Sequence, residues 1–289
     1  VGTAFVIDGA RPASKALASM TAGAAFRLGF GLGPLMGGLI AQYWGNPLHR
    51  PFEVHVVLMM VGLACVIIAR ETVPRRPYRF EMRVGVPKGQ GLGFAGFIGP
   101  AAFTMSFMEG TVLSLVPLFL YSTLGATNVA IAGICGFLVL GLGGMTPIVT
   151  RNVDPRKAVM IGVSVSAAVT WLIAGAAFVG SAVLVVVAAG ILGFVNGMIL
   201  QGGTVICGTI VPLEERGKLM SALYMCAYAG TIPTVGLGYL SQAIGLTDAL
   251  IVFSCIACAL AAWIVLFGRR LFPRVIPYAE PVRVGSPAS

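Results

Sequence analysis

Glu109 and Arg27 are ionisable residues that lie well inside long apolar stretches of the chain. A charged side chain at the centre of an apolar membrane helix costs about 2.5–3.5 kcal/mol on insertion scales, so such residues usually serve a specific role. A carboxylate at Glu109 can exchange a proton or bind a cation, and a guanidinium at Arg27 favours anionic or polar groups. We therefore predict that both side chains lie on a substrate or proton pathway. The alternatives are a structural hydrogen bond to a neighbouring helix for Glu109 and, for Arg27, a carboxylate partner on helices expected before Val1.

Uncharged polar side chains in two later apolar stretches extend this prediction. Asn196 and Gln201 lie in the stretch 182–206. Tyr224 and Tyr228 are four residues apart and therefore share one face of a helix. We predict that all four side chains line the same pathway. The structural alternative is packing between helices, with hydrogen bonds worth ~0.6–2 kcal/mol each for the amides.

The sequence contains no motif that indicates catalysis, a metal or a nucleotide. Residues 91–96 match the spacing G-x-G-x-x-G, but they follow no strand and open an apolar stretch, so we reject a nucleotide site. The six cysteines lie inside apolar runs, as small buried hydrophobic residues do. We expect no cofactor, no metal and no enzymatic activity. A membrane-integral enzyme, the alternative, would need clusters of polar catalytic residues near the membrane surface.

The composition predicts an all-α, multi-pass membrane protein. Of the 289 residues, 57% are hydrophobic and 10% are charged, and the mean hydropathy is +0.94. An ordinary soluble domain has about 25% charged residues, so this chain could not cover a soluble core with a polar shell. A membrane-spanning helix needs about 20 apolar residues. The apolar stretches predict the end of a helix at 1–8 and then eight spans, at 16–44, 52–70, 94–121, 129–150, 157–179, 182–206, 218–243 and 248–268.

Basic residues are concentrated in alternate loops between the predicted spans. Nearly all of the 19 lysines and arginines fall on one side of the membrane, whereas Arg50 lies on the other side and Arg27 inside a span. The positive-inside rule places the basic side in the cytoplasm. The net charge of +9 is thus explained by the basic residues of the predicted cytoplasmic loops. We predict no nucleic-acid partner, because the basic residues are dispersed over short loops with few aromatic residues among them.

An internal repeat predicts that the chain contains parts of two related halves. The segments GPLMGGLIAQYWG at 33–45 and PTVGLGYLSQAIG at 233–245 align without gaps, and each follows a basic turn. Parallel repeats of six helices are typical of one transporter architecture. On that count the N-terminal half is incomplete, and nearly four helices, about 110 residues, are expected before Val1. The predicted divisions are the end of the N-terminal half at 1–69, a cytoplasmic linker at 70–90, a C-terminal six-helix half at 91–268 and a cytoplasmic tail at 269–289.

The chain resembles the major facilitator superfamily in three segments. The strongest is the pattern G-x3-G-P-x2-G-G, which resembles the fifth-helix motif of the exporters in that family. Its positions here are Gly29, Gly33, Pro34, Gly37 and Gly38. The family pattern also has a glycine nine residues before Gly29, where this chain has Met20. The turn VPLEERG at 211–217 resembles the one before the eleventh helix, and RETVP at 70–74 resembles the end of the sixth.

The glycines of this pattern have a physical role of their own. Gly29, Gly33 and Gly37 recur every four residues, which leaves one stripe of the helix without side chains. Such a stripe allows a partner helix to approach closely. In the family the motif is associated with the seal between halves, and the alternative is ordinary helix packing. Arg27 lies nearly opposite the stripe, so we expect it away from the packing seam of this glycine motif.

The resemblance implies a secondary active transporter with an incomplete N-terminal half, in the inner membrane of a cell. It implies export of a small molecule in exchange for protons, by alternating access, with Glu109 as the proton-linked group. The expected partners are the substrate, protons and the lipid bilayer, and the expected assembly is a monomer. The alternatives are an importer of the same fold and a truncated membrane protein that does not transport.

Overall fold

The computed structural model describes residues 15–68, 85–87, 89–150 and 152–271. All the regular secondary structure in these ranges is helical. A short helical turn at Gly91–Gly93 and a π-helix at Phe94–Ile98 lead into the helix Gly99–Ser122, and a 3₁₀ turn at Leu142–Gly144 follows the helix Ala130–Gly141. The helices are α1 (Lys15–Tyr43), α2 (Arg50–Ile68), α3 (Gly99–Ser122), α4 (Ala130–Gly141), α5 (Thr146–Val149), α6 (Pro155–Val179), α7 (Ala182–Thr209), α8 (Leu213–Gly230), α9 (Pro233–Ile244) and α10 (Leu246–Leu271).

The described part of the chain has six helical stretches that are long and apolar enough to cross a membrane. This confirms the prediction of an all-α, multi-pass membrane protein. The six stretches are Thr21–Tyr43, Arg50–Ile68, Gly91–Ser122, Pro155–Val179, Ala182–Thr209 and Leu246–Gly268.

Two of the eight predicted spans are not single helices. The stretch 129–150 is divided by the 3₁₀ turn into α4 and the four-residue helix α5. The stretch 218–243 is divided between Gly230, the last residue of α8, and Pro233, the first of α9. Glycine weakens a helix by about 1 kcal/mol, and proline lacks the N–H that would continue the hydrogen-bond ladder. The breaks fall where these residues cluster.

The ends of α6 follow directly from the local sequence. The carboxylate of Asp154 accepts hydrogen bonds from the backbone N–H groups of Arg156 and Lys157, which caps the first turn. Gly180 ends the helix in the left-handed conformation, with φ of 66°, which favours a residue without Cβ. Ser181 then caps α7 through its hydroxyl. The two helices therefore form an antiparallel pair joined by a tight connection.

Close helix pairs hold the described chain together. The most extensive contacts are those of α6 with α7, α1 with α4, α10 with α6 and α8 with α3. The core between α3, α6, α7 and α10 is filled by large apolar side chains, among them Phe97, Phe107, Phe253 and Leu192. In contrast, α2 buries no residue against the described chain. The contact between the two N-terminal helices and the bundle that begins at residue 91 is therefore made mainly by α1.

The two copies of the predicted repeat differ in shape. α1 runs without a break through Pro34, whereas the second copy is broken before Pro233. The division into an N-terminal part, a linker and a C-terminal half stays a prediction. The helix end at 1–8, most of the linker and most of the tail lie outside the described residues.

Candidate functional site

The Glu109 carboxylate on α3 and the Arg27 guanidinium on α1 form an ion pair between two helices. The distance from Nη1 of Arg27 to Oε1 of Glu109 is 4.0 Å, and 15% of each side chain is exposed. This distance is too long for a hydrogen bond. Oε1 is buried and has no hydrogen-bond partner among the described residues. The pair thus balances two charges in an apolar environment but leaves an acceptor atom unsatisfied.

Arg27 reaches this position because α1 packs closely against α4. A Cβ atom at Gly31 would lie 2.7 Å from the backbone nitrogen of Gly141, and one at Gly38 would lie 2.9 Å from Cα of Gly133. A Cβ at Gly133 would in turn lie 2.6 Å from the carbonyl oxygen of Pro34. No side chain fits at these glycines, so the two backbones touch along the length of α4. We call this contact the α1–α4 seam.

The side chain of Arg27 lies at one end of the α1–α4 seam, against two glycines. A Cβ at Gly143 would collide with Nη1 of Arg27, and a Cβ at Gly144 would lie 3.2 Å from Cβ of Arg27. These glycines form the 3₁₀ turn after α4 and leave space for the guanidinium. Sequence reasoning did not connect them with Arg27. The signal that was available is a glycine pair in an apolar stretch, which indicates close approach of another element.

The position of the α1–α4 seam differs from the expectation for α1. Pro34 and Gly38 lie in it, but Gly29, Gly33 and Gly37 have no heavy atom of the described chain within 4 Å of a built Cβ. The seam follows the face that carries Gly31, which is also the face of Arg27. Arg27 therefore lies on a different face of α1 from the Gly29–Gly33–Gly37 stripe, and the α1–α4 seam forms on the Arg27 face. The role of the Gly29–Gly33–Gly37 stripe stays a prediction.

Asn196 on α7 continues the polar cluster behind Glu109. Its side chain is fully buried next to the Glu109 carboxyl group, and Nδ2 forms no hydrogen bond with any described residue. The hydroxyl of Ser166 on α6 donates a hydrogen bond of 3.1 Å to Oδ1 of Asn196. Ser166 was not predicted from the sequence, because a serine in an apolar helix usually bonds its own backbone. Four helices thus contribute to one polar row, Arg27–Glu109–Asn196–Ser166, in which Asn196 and Ser166 are fully buried and 15% of the Arg27 and Glu109 side chains is exposed.

Gln201 is held by a different set of hydrogen bonds. Its Oε1 accepts a bond of 2.9 Å from the hydroxyl of Thr150. Thr150 also bonds to the carbonyl of Thr146, whose own hydroxyl donates to the carbonyl of Phe194. These bonds join α7 to the short helix α5. Gln201 therefore has the structural, interhelical role that we gave as the alternative, and its place on the pathway stays a prediction.

Tyr224 and Tyr228 do not join the buried cluster. They lie on α8 with 43% and 73% of their surface exposed. The two residues are four positions apart and therefore share one side of the helix. Their contribution to the pathway stays a prediction.

The cluster has the chemistry of proton exchange and ion pairing. Across the described ranges, no group of three or more His, Cys, Asp and Glu side chains is placed to hold a metal ion. The reactive groups are one carboxylate, one guanidinium, one amide and one hydroxyl. A carboxylate that can be protonated beside a fixed cation can switch an electrostatic contact between two helices on and off.

The helices and this cluster define a multi-pass membrane protein with an ionisable pair in its interior. The comparison with family descriptions found that residues 1–231 match the Major Facilitator Superfamily. The chain belongs to this family and is a membrane transporter. The comparison with curated proteins found no match.

Proposed function

We propose that this transporter exports small molecules in exchange for protons, by alternating access. The observation that carries the proposal is the largely buried ion pair between Arg27 and Glu109, with 15% of each side chain exposed, which joins α1 to the bundle that begins at residue 91. Transporters built from two repeats expose a midplane site to each side of the membrane in turn, by rocking one part against the other. An ion pair between the moving parts is made and broken once in each cycle.

Protonation of Glu109 is the proposed switch. A proton on the carboxylate removes its charge and leaves Arg27 as a buried cation without a counter-ion, which is strongly unfavourable. This favours a movement that brings the guanidinium to water, and loss of the proton restores the ion pair. Ser166 donates to Oδ1 of Asn196, and the amide nitrogen of Asn196 has no hydrogen-bond partner in the described chain. We propose that Asn196 orients the carboxyl group in both protonation states.

Other parts of the sequence support the direction and orientation. The partial glycine motif on α1 favours export, and the distribution of basic residues favours cytoplasmic placement of their loops. We propose that the transporter is a monomer in the inner membrane of a cell, with the basic loops on the cytoplasmic side. Gln201, Tyr224 and Tyr228 complete the proposed pathway.

The decisive variant is Glu109→Gln. It keeps the shape of the side chain but replaces the carboxyl group with an amide, which does not gain or lose a proton. Uptake into everted vesicles should therefore no longer respond to an imposed pH gradient. The measurement uses a panel of radiolabelled neutral, cationic and anionic small molecules. The matched control is Glu53→Gln, because Glu53 forms an ion pair of 2.7 Å with Arg50 but both side chains are about half exposed. That variant should transport as the wild type does.

Two results would contradict the proposal. Gradient-driven transport that is unchanged in Glu109→Gln would remove Glu109 from proton coupling. Uptake that runs only into right-side-out vesicles would make the protein an importer.

A further inference from the structure

An open groove lies on the surface of the bundle, between the first half of α6 and the end of α10. Its volume is about 410 Å³. The hydroxyl of Ser164 donates a hydrogen bond to the carbonyl of Met160 on its own helix, so the wall of the groove is largely apolar. The groove is lined by Lys157, Met160, Ile161, Ser164, Val165 and Val265.

The two helices meet beyond the end of the groove that is farther from Lys157. Trp171 lies seven residues after Ser164 on α6, and Cys258 lies seven residues before Val265 on α10. Residues seven apart share one face of a helix. The Nε1 of Trp171 donates a hydrogen bond of 3.3 Å to Sγ of Cys258. At 1.5 Å per residue, the path from Lys157 to this contact is about 21 Å long.

Positive charge surrounds the other end of the groove. Lys157 is exposed and forms no ion pair with any described residue. The guanidinium of Arg156 donates hydrogen bonds of 3.0 and 3.3 Å to the carbonyl of Gly268, in the last turn of α10, and Arg270 is exposed two residues further on. The carboxylate of Asp154 is bonded to the backbone N–H groups that begin α6. The three described basic side chains outweigh this single acidic one.

The groove thus combines the two features that a phospholipid needs from a binding site. The hydrocarbon core of a bilayer is about 30 Å thick, so the acyl chains of one leaflet occupy about 15 Å, which the path along α6 accommodates. Basic pockets between membrane helices on the cytoplasmic side bind anionic headgroups, and the positive-inside rule predicts that the Lys157 end is cytoplasmic. A water-soluble anion would use the basic end but leave the apolar wall uncovered.

We propose that this groove is a binding site for an anionic phospholipid of the cytoplasmic leaflet. The phosphate group contacts Lys157, and one acyl chain lies along Ile161 and Val265 toward Trp171. A zwitterionic phospholipid has no net negative charge and binds more weakly. The inference does not rest on proton coupling, because the two residues of the ion pair lie on other helices.

Quenching of Trp171 fluorescence by brominated lipid tests the occupant. The chain has three tryptophans, and the changes Trp44→Phe and Trp263→Phe leave Trp171 alone. The full chain with these changes is placed in phosphatidylcholine vesicles with increasing amounts of phosphatidylglycerol that is brominated near the end of one acyl chain. The reference series uses phosphatidylcholine brominated at the same position. Phosphatidylglycerol should quench at a mole fraction at least about tenfold lower, as expected for attraction by two or more basic side chains.

A lysine variant tests the contact with the headgroup. Lys157→Gln should reduce the preference for phosphatidylglycerol by about fivefold, the effect of one basic side chain near an anionic surface. The matched control is Lys218→Gln, because Lys218 lies near the start of α8 and does not line the groove. That variant should keep the full preference.

A serine variant tests the location of the acyl chain. Ser164 and Ser122 are both exposed, and each donates a hydrogen bond to the carbonyl four residues earlier on its own helix. Only Ser164 lines the groove. Ser164→Phe should fill the groove and abolish the preference for phosphatidylglycerol at Trp171, whereas Ser122→Phe should retain it.

Four outcomes would overturn this inference. Equal quenching by the two lipids would mean that the site does not select charge, and equal losses in Lys157→Gln and Lys218→Gln would indicate general attraction to the membrane surface. An unchanged preference in Ser164→Phe would mean that the lipid lies elsewhere. Absence of quenching by either lipid would mean that another part of the protein or a second copy covers the groove. Glu109→Gln should bind lipid as the wild type does, so the lipid site and proton coupling can fail separately.

Discussion

At the scale of single residues, Gly143 controls whether Arg27 can reach Glu109. The guanidinium occupies the space that a side chain at position 143 would take. An arginine that cannot enter this space loses its partner and leaves a buried carboxylate alone, which is among the most costly changes in a protein interior. The ion pair therefore depends on the glycine at position 143 as well as on the two charged residues.

Gly143→Ala should displace Arg27 and destabilise the protein by about 1–3 kcal/mol, the usual cost of overpacking. Thermal unfolding in detergent measures the effect. Gly175→Ala on α6 is the matched control, because a Cβ there meets no atom within 4 Å. Removing the side chain in Arg27→Ala should recover part of the loss, with a coupling of about 0.5–3 kcal/mol in a double-mutant cycle. Strictly additive effects would show that the two positions do not interact.

The residues of the ion pair could be predicted individually, but their contact could not. Glu109 and Arg27 were identified because they are charged residues inside apolar stretches. Inserting a charged side chain into a membrane costs free energy, so such residues usually have a function. Their pairing depends on which face of α1 meets α4. The sequence offers two glycine faces, one with Gly33 and one with Gly31, and both have the spacing for close packing. Ser166 could not be predicted, since its bond to Asn196 depends on the register between α6 and α7.

At the scale of helices, hydropathy predicted where most apolar elements lie but not where they break. A hydropathy window averages over about 19 residues and cannot register a single interrupted turn. Proline alone is also a poor guide, because α1 and α3 contain Pro34 and Pro117 and continue through them. Neighbouring helices can satisfy the backbone groups that a proline frees. The helix does break before Pro233, after the last residue of α8, Gly230.

The α1–α4 seam makes neighbouring glycines of α1 unequal. Gly38→Ala should destabilise the protein by about 1–3 kcal/mol, because the added methyl group would press on Gly133. Gly37→Ala should be neutral or stabilising by up to about 1 kcal/mol, because alanine favours the helix and no described atom lies within 4 Å. Unfolding midpoints of the two variants provide the measurement. Equal losses at both positions would contradict the seam as described.

At the scale of the whole molecule, the α1–α4 seam is fastened at the end away from Arg27. The Oε1 of Gln42 on α1 accepts a hydrogen bond of 2.7 Å from the backbone N–H of Val129, which precedes α4. The hydroxyl of Tyr43 lies 3.3 Å from Nδ2 of Asn128. A rocking movement that opens this end must break both bonds. If the two ends of the seam open in turn, opening one end breaks these hydrogen bonds and opening the other end breaks the ion pair.

A covalent bridge at the fastened end should therefore stop transport. In a background with the native cysteines replaced, Gln42→Cys and Val129→Cys are joined by a short reducible thiol crosslinker, and uptake into vesicles is measured before and after reduction. We expect loss of transport and its recovery on reduction, because α1 must separate from α4 there. The control bridge is made in the same background with Cys258 retained and joins it to Trp171→Cys. The native side chains at these two positions are in contact between α6 and α10. It lies within one half and should leave transport unchanged. Transport at the wild-type rate with the first bridge intact would mean that α1 and α4 do not separate at this end.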